Sequence, residues 1–258
     1  MNLLSRIVAI LLLALTVFML GANQHRTGSW PFGQSAFTGV TRFVDEDKNK
    51  DIQKELKIAG WIDKLKKGGY LIYLRHANRE KWPEHKSFDI HEFASKIQDA
   101  SQTPFKRAVC LSDQGIEEAK LIGETFKRET IPVGRVVSSP SCRAKQTATY
   151  AFGKFDAIEN SLLLPDIQSD AYSHETVNQL IAFLKAVEIK PGTNTVISAH
   201  GGTLERFRGE AIKGDMPMVL ETGFHIIERG SDNKLAIVFS IMSLNELAIN
   251  GVDLSKNP

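Results

Sequence analysis

The sequence predicts an α/β domain, a layered sheet of mostly parallel strands flanked by helices. Short apolar runs rich in strand formers alternate along the chain with longer segments whose apolar residues recur every three or four positions, and that alternation is what layered α/β domains are built from. With 258 residues, 42% hydrophobic and 24% charged, the chain is large enough for a single domain with a sizeable core.

The elements follow in order. Ile52, Leu56, Ala59, Ile62 and Leu65 share one helical stripe from residue 51 onward, which Gly68 and Gly69 close. Residues 70–74, Tyr-Leu-Ile-Tyr-Leu, are apolar without alternation, as in a strand buried on both faces. A helix is expected over 112–128, a strand around 136–138, and a helix that opens near Arg143 and closes at Gly153. Val177, Leu180, Leu184 and Val187 mark a further helix over 175–187, followed by a strand at 195–199. Residues 224–228 and 235–241, split by the polar stretch 229–234, read as an antiparallel hairpin, and the whole of 51–258 as one domain.

The start of the chain is different material. After Arg6, residues 7–22 are apolar apart from Thr16, and the sequence turns polar at Asn23, with small Gly21 and Ala22 at the boundary. This is the layout of a secretory signal peptide, although Leu20 departs from a small-x-small cleavage site. A retained membrane anchor is the alternative; its sixteen residues fall short of the ~20 that span a bilayer. Either reading places the domain outside the cytosol, exported to the periplasm or tethered there through residues 1–22. Residues 23–50 lack periodicity and read as a linker or arm. With 32 basic and 30 acidic residues spread along the chain, the net charge of +2 sets up no field for nucleic acid, so any bound anion must be held by a local site. Cys110 and Cys142 fit a disulfide in an exported protein or a pair of buried thiols, and spacing alone does not choose.

Chemistry concentrates at three strand ends: Arg75-His76, the stretch from Ser138 to Arg143, and His200-Gly201-Gly202. In open α/β sheets ligands bind beyond the carboxyl ends of the strands, so two arginines and two histidines converging there make a dianion site. Arg75 and Arg143 offer planar forks of donors that stay charged. His76 is a competent nucleophile if one ring nitrogen donates to a fixed acceptor and neighbouring arginines disfavour the imidazolium. Singly, each residue has an ordinary structural reading: a hydrogen-bonding histidine at a strand end, a solvated arginine on a helix.

Taken together, the motifs resemble the histidine phosphatase superfamily, in its phosphoglycerate-mutase-like branch. Leu74-Arg75-His76-Ala77 resembles the first signature, Leu111-Ser112-Asp113-Gln114-Gly115 with Ala119 the helix after it, Ser138-Ser139-Pro140 with Arg143-Ala144-Lys145-Gln146-Thr147-Ala148 the second motif, and Ser198-Ala199-His200-Gly201-Gly202 the third. The resemblance implies a metal-independent phosphomonoesterase that needs no cofactor. His76 would carry the phosphoryl group, Arg75, Arg143 and His200 would bind its oxygens, and a small phosphorylated compound would be the partner. By the same resemblance the leaving-group acid falls at Asp166, twenty-three residues after Arg143, where the family more often has Glu; Glu159 and Glu175 are the alternatives, and a turn role for Asp166 is the plain reading. A narrower similarity, to an exported bacterial subgroup, implies a Cys110–Cys142 disulfide. Two rival functions share the fold: a binding protein that keeps the phosphate pocket without turnover, and a phosphomutase. Residues 78–109 are expected to form the wall above the site and to carry specificity.

Overall fold

The computed structural model describes residues 46–80, 109–163, 174–204, 211–244 and 246. Two compact units divide the chain, residues 1–52 and 53–258; of the first, only residues 46–52, the opening of a helix, are among those described. The segment read as signal or anchor, residues 1–22, and residues 23–45 of the arm lie outside the described residues. Among the described residues no helix is long and apolar enough to cross a membrane.

Helix α1 (Glu46–Leu65) starts five residues before the expected start at residue 51. Glu46, Asp47, Lys48, Asn49 and Lys50 carry no apolar residue, so periodicity is silent there, while two acidic residues suit the positive end of a helix dipole. Strand β1 (Leu71–Arg75) follows, then α2 (Asp113–Arg128), β2 (Val133–Ser138), α3 (Cys142–Phe152), β3 (Ala157–Ile158), α4 (His174–Ala186), β4 (Asn194–Ala199), β5 (Ile212–Lys213), β6 (Phe224–Arg229) and β7 (Leu235–Ile241). Local chemistry sets the ends of the middle helices. Ser112 caps α2 by accepting from Gly115 N–H, Ser141 caps α3 by accepting from Ala144 N–H, and Gly153 ends α3 in the left-handed region.

The seven strands lie in the order β3-β2-β4-β1-β6-β7-β5. β1 pairs parallel with β4, β2 with β3 and β4, and β5 with β7; β6 runs antiparallel to both β1 and β7, so the expected hairpin forms. Two-residue strands β3 and β5 escape sequence reading because a period of two needs more than two residues to show.

Alternation of side chains along β1 explains its unbroken apolar run. Ile72 and Leu74 pack on one face of the sheet with Ile58 and Ile62 of α1, Ile122 and Phe126 of α2 and Ala148 of α3. Leu71 and Tyr73 pack on the other with Leu180 and Leu184 of α4. Both faces are therefore dry. Leu180 and Leu184 are wholly buried, each stabilising the fold by roughly 1.5–3 kcal/mol relative to an exposed side chain. A charged residue at either position would detach α4.

Candidate active site

Three strand ends converge because β4 lies between β2 and β1 and all three run parallel. Arg75 is in register with Ala199 and Ser138 with Ser198, which brings the next residues, His76, His200 and Ser139, to one edge of the sheet. The ladder continues one step past the strands: His76 N–H donates to Ala199 O at 3.0 Å and Ser139 N–H to Ser198 O at 2.9 Å. As a result the two imidazoles stand 5.5 Å apart, centre to centre. His76, Arg143 and His200 are 4%, 2% and 1% exposed, so three of the four residues expected to meet a phosphoryl group are nearly dry.

Hydrogen bonds assign the tautomers of both histidines. His76 Nδ1 lies 2.8 Å from Ala77 O. A carbonyl only accepts, so Nδ1 carries the proton and the Nε2 lone pair is left over. Among the described residues Nε2 has no hydrogen-bond partner. In His200 the roles are reversed: the Arg143 guanidinium donates to Nδ1 at 3.0 Å, and Nε2–H points to Ser139 Oγ at 2.9 Å, with Ser141 Oγ at 3.3 Å.

Burial, above all, holds the His76 imidazole well below its ordinary pKa, and Arg143, His200 and Arg75 push it the same way against the weaker pull of the Ala77 carbonyl. His200 is likewise held well below, first by burial and then by Arg143, Arg79 and Arg75. Both rings are neutral at pH 7.

Arg75 reaches the same place by a path only glycine permits. A Cβ on Gly201 would sit 2.7 Å from Arg75 Cδ and 2.8 Å from its Nη1. Nη1 donates to Val219 O at 2.7 Å, while Nε is buried without a partner among the described residues. A second close approach explains Gly115 of the Leu-Ser-Asp-Gln-Gly motif, where a Cβ would fall 1.9 Å from Asn78 O, so only glycine lets α2 press against the turn after His76.

Several residues support the site, some quoted in the motifs without a role of their own and some in no motif. Thr147 Oγ1 accepts from Ala77 N–H at 3.0 Å and donates to Arg143 O at 2.8 Å, tying the His76 turn to the first turn of α3. Its place four residues after Arg143 was the available signal. Asn78 Nδ2 donates to Glu221 Oε2 at 3.1 Å, Ser112 Oγ donates to Asn78 Oδ1 at 2.8 Å, and Thr222 N–H reaches His76 O at 3.3 Å. No motif marks Val219, Glu221 or Thr222. Cys110 and Cys142 form a disulfide with Cα atoms 4.8 Å apart, which anchors the residue just before Arg143 to the entry of α2.

Of the residues considered for the leaving-group acid, Asp166 lies outside the described residues, and so does the side chain of Glu175. Glu159 caps the short 3-10 turn Asn160–Leu162, its Oε1 accepting from Ser161 N–H at 2.9 Å. Most of the expected wall, residues 81–108, also lies outside the described residues. Among the described residues no three His, Cys, Asp or Glu side chains are grouped as metal ligands.

Residues 74–168 match the model of the histidine phosphatase superfamily (branch 1). Over that stretch the chain is similar to the superfamily. The match spans the Arg-His signature, α2 and the second motif. Among solved structures, the protein histidine phosphatase SixA complexed with tungstate is similar at 16% identity over 68% of this chain and 98% of that one, with a TM-score of 0.46. Phosphoserine phosphatase from Entamoeba histolytica in complex with 3-phosphoglyceric acid is similar at 16% identity over 69% and 98%, TM-score 0.42. Mycobacterial hydrolase 1 is similar at 17% over 65% and 95%, TM-score 0.42. No curated protein matches the chain. Phosphatase chemistry is the activity to which the superfamily points.

Proposed function

We propose that the chain is a histidine phosphatase, a phosphomonoesterase that acts through a phosphohistidine on His76, without a metal ion, on a phosphate ester outside the cytosol. The observation that carries the reading is the state of His76: Nδ1–H held by a carbonyl, Nε2 without a partner among the described residues, and a ring kept neutral by burial and by Arg143, His200 and Arg75. Nε2 attacks phosphorus in line with the ester oxygen, the P–N bond forms as the P–O bond breaks, and the leaving oxygen takes up a proton. Water then attacks the phosphohistidine and releases phosphate.

Arg75 and Arg143 bind the non-bridging oxygens and stabilise the charge that builds on them. Arg75 Nε is the donor already desolvated and waiting. His200 sets the Arg143 fork through Nδ1 and gives its Nε2–H to the phosphoryl group in exchange for Ser139. Asp166 supplies the leaving-group proton. The disulfide supports an oxidising compartment, and with it export of the domain. Release of phosphate from an aryl phosphate, measured with a chelator present and His76→Ala alongside, tests the proposal. Turnover that survives the chelator and vanishes in the variant is expected; a folded His76→Ala protein as active as the parent would overturn it.

A further inference from the structure

His76 Nδ1–H is held by Ala77 O, and the other end of that same peptide group is also engaged: Asn78 N–H donates to Glu118 Oε2 at 2.9 Å. The described peptide bonds are trans, so the carbonyl and the N–H of the 77–78 unit point in opposite directions. One planar, resonance-coupled group therefore lies between a carboxylate on one side and the nucleophile on the other. From the juxtaposition of Glu118, the 77–78 peptide and His76 we infer that Glu118 is a positioning residue for the nucleophile. It acts through the backbone, as the aspartate of an Asp-His pair acts directly.

The physical link is polarisation. A negative group accepting from a peptide N–H shifts electron density onto the carbonyl oxygen at the far end, and hydrogen bonds in such a chain strengthen one another. A more basic Ala77 oxygen grips Nδ1–H more firmly. This fixes the tautomer that leaves Nε2 free, and it stabilises the positive charge that spreads over the ring as Nε2 bonds to phosphorus.

Glu118 is built to hold this place. Its other oxygen, Oε1, accepts from Gln114 Nε2 at 2.8 Å, one helical turn earlier on α2. Ser112 N–H donates to Asn78 O at 3.2 Å, and Gly115 removes the Cβ that would keep the helix away. The turn is thus clamped to α2 at the residue after the acceptor carbonyl. Neither the sequence motifs nor the direct contacts of His76 assign Glu118 a part, since it does not touch the ring.

The inference rests on the proposed role of His76, and its test separates the two. In Glu118→Gln an acceptor remains but the charge is gone; in Glu118→Leu both are gone. Two readouts are taken on the full chain: ¹⁵N shifts of the His76 ring without ligand, and the single-turnover rate of phosphohistidine formation from an aryl phosphate. The expected results are an Nδ1–H tautomer in the parent and a mixed tautomer in Glu118→Leu. That variant is expected to react about tenfold more slowly with substrate affinity unchanged, the lower end of what loss of an outer hydrogen-bond partner does to a histidine. Glu118→Gln should fall between. Parent-like shifts in a folded Glu118→Leu protein would overturn the inference, whether or not its rate falls, because a merely structural role leaves the tautomer alone. If the parent forms no phosphohistidine, the proposed function fails while the ¹⁵N comparison still decides whether Glu118 governs the ring.

Discussion

The two ends of β4 carry two buried polar side chains that are handled in opposite ways. Asn194, at the amino end, is completely buried, and its amide is spent on backbone: Nδ2 donates to Leu65 O and Pro132 O at 2.8 and 3.0 Å, and Oδ1 accepts from Tyr70 N–H at 3.3 Å. It stitches the end of α1, the loop before β2 and the start of β1 into one floor. His200, just past the carboxyl end, is equally buried, yet its partners are side chains, an arginine and two serines, and its neighbour Arg75 keeps a buried guanidinium nitrogen that has no partner among the described residues. Leaving a buried donor unpaired costs roughly 1–3 kcal/mol. A fold tolerates that where a ligand will complete the set, so the amino end of the strand reads as scaffold and the carboxyl end as site.

Substitutions on either end can break this contrast. The largest effect is expected from His76→Ala, a loss of turnover on the order of 10⁴-fold or more, as for other essential nucleophiles, with unfolding midpoint unchanged or raised. Opening the disulfide by Cys110→Ser with Cys142→Ser is expected to cost about 3–4 kcal/mol in denaturant unfolding, the chain-entropy value for a separation of 32 residues. Since that bridge adjoins Arg143, kcat/KM should fall too. Asn194→Ala should destabilise by about 2–3 kcal/mol, roughly one for each lost hydrogen bond, and leave kcat/KM of the remaining folded protein within a factor of about two. A large change in kcat/KM there would dissolve the distinction between scaffold and site.

The last effect is a pH dependence, and its sign is fixed by the two histidines. Both have folded pKa values lowered from the ordinary one, so below about pH 6.5 the unfolded chain binds protons that the folded protein does not. Stability is therefore flat above that pH. It declines as the pH falls below it, by up to about 1.4 kcal/mol per pH unit for each histidine until its folded pKa is reached. Denaturant titrations at pH 7 and 5.5 should show the decline in the parent and a shallower one in His76→Ala.

Much of the site was legible because its residues sit where strands end. Arg75-His76 closes an apolar run, His200-Gly201-Gly202 closes another, and Arg143 opens a helix after a strand, so topology alone brings them together. The glycines of the motifs gain their reason only in three dimensions, Gly201 from the path of Arg75 and Gly115 from the approach of α2 to Asn78. Val219 and Glu221 were not legible, since a backbone carbonyl and a lone glutamate in an irregular segment leave no pattern. The opening of α1 was missed for the same physical reason as β3 and β5: periodicity reports burial, and an element too polar or too short to show a buried face gives no period.

The central claim is that His76 Nε2 takes the phosphoryl group. Rapid quenching of the protein with an aryl phosphate, followed by mapping of the acid-labile phosphate by mass spectrometry under alkaline conditions, tests it most directly. A phosphoryl group on His76, formed within the first turnover and absent from His76→Ala, is the expected result. Turnover without any phosphohistidine, or with the phosphoryl group on another residue, would contradict it.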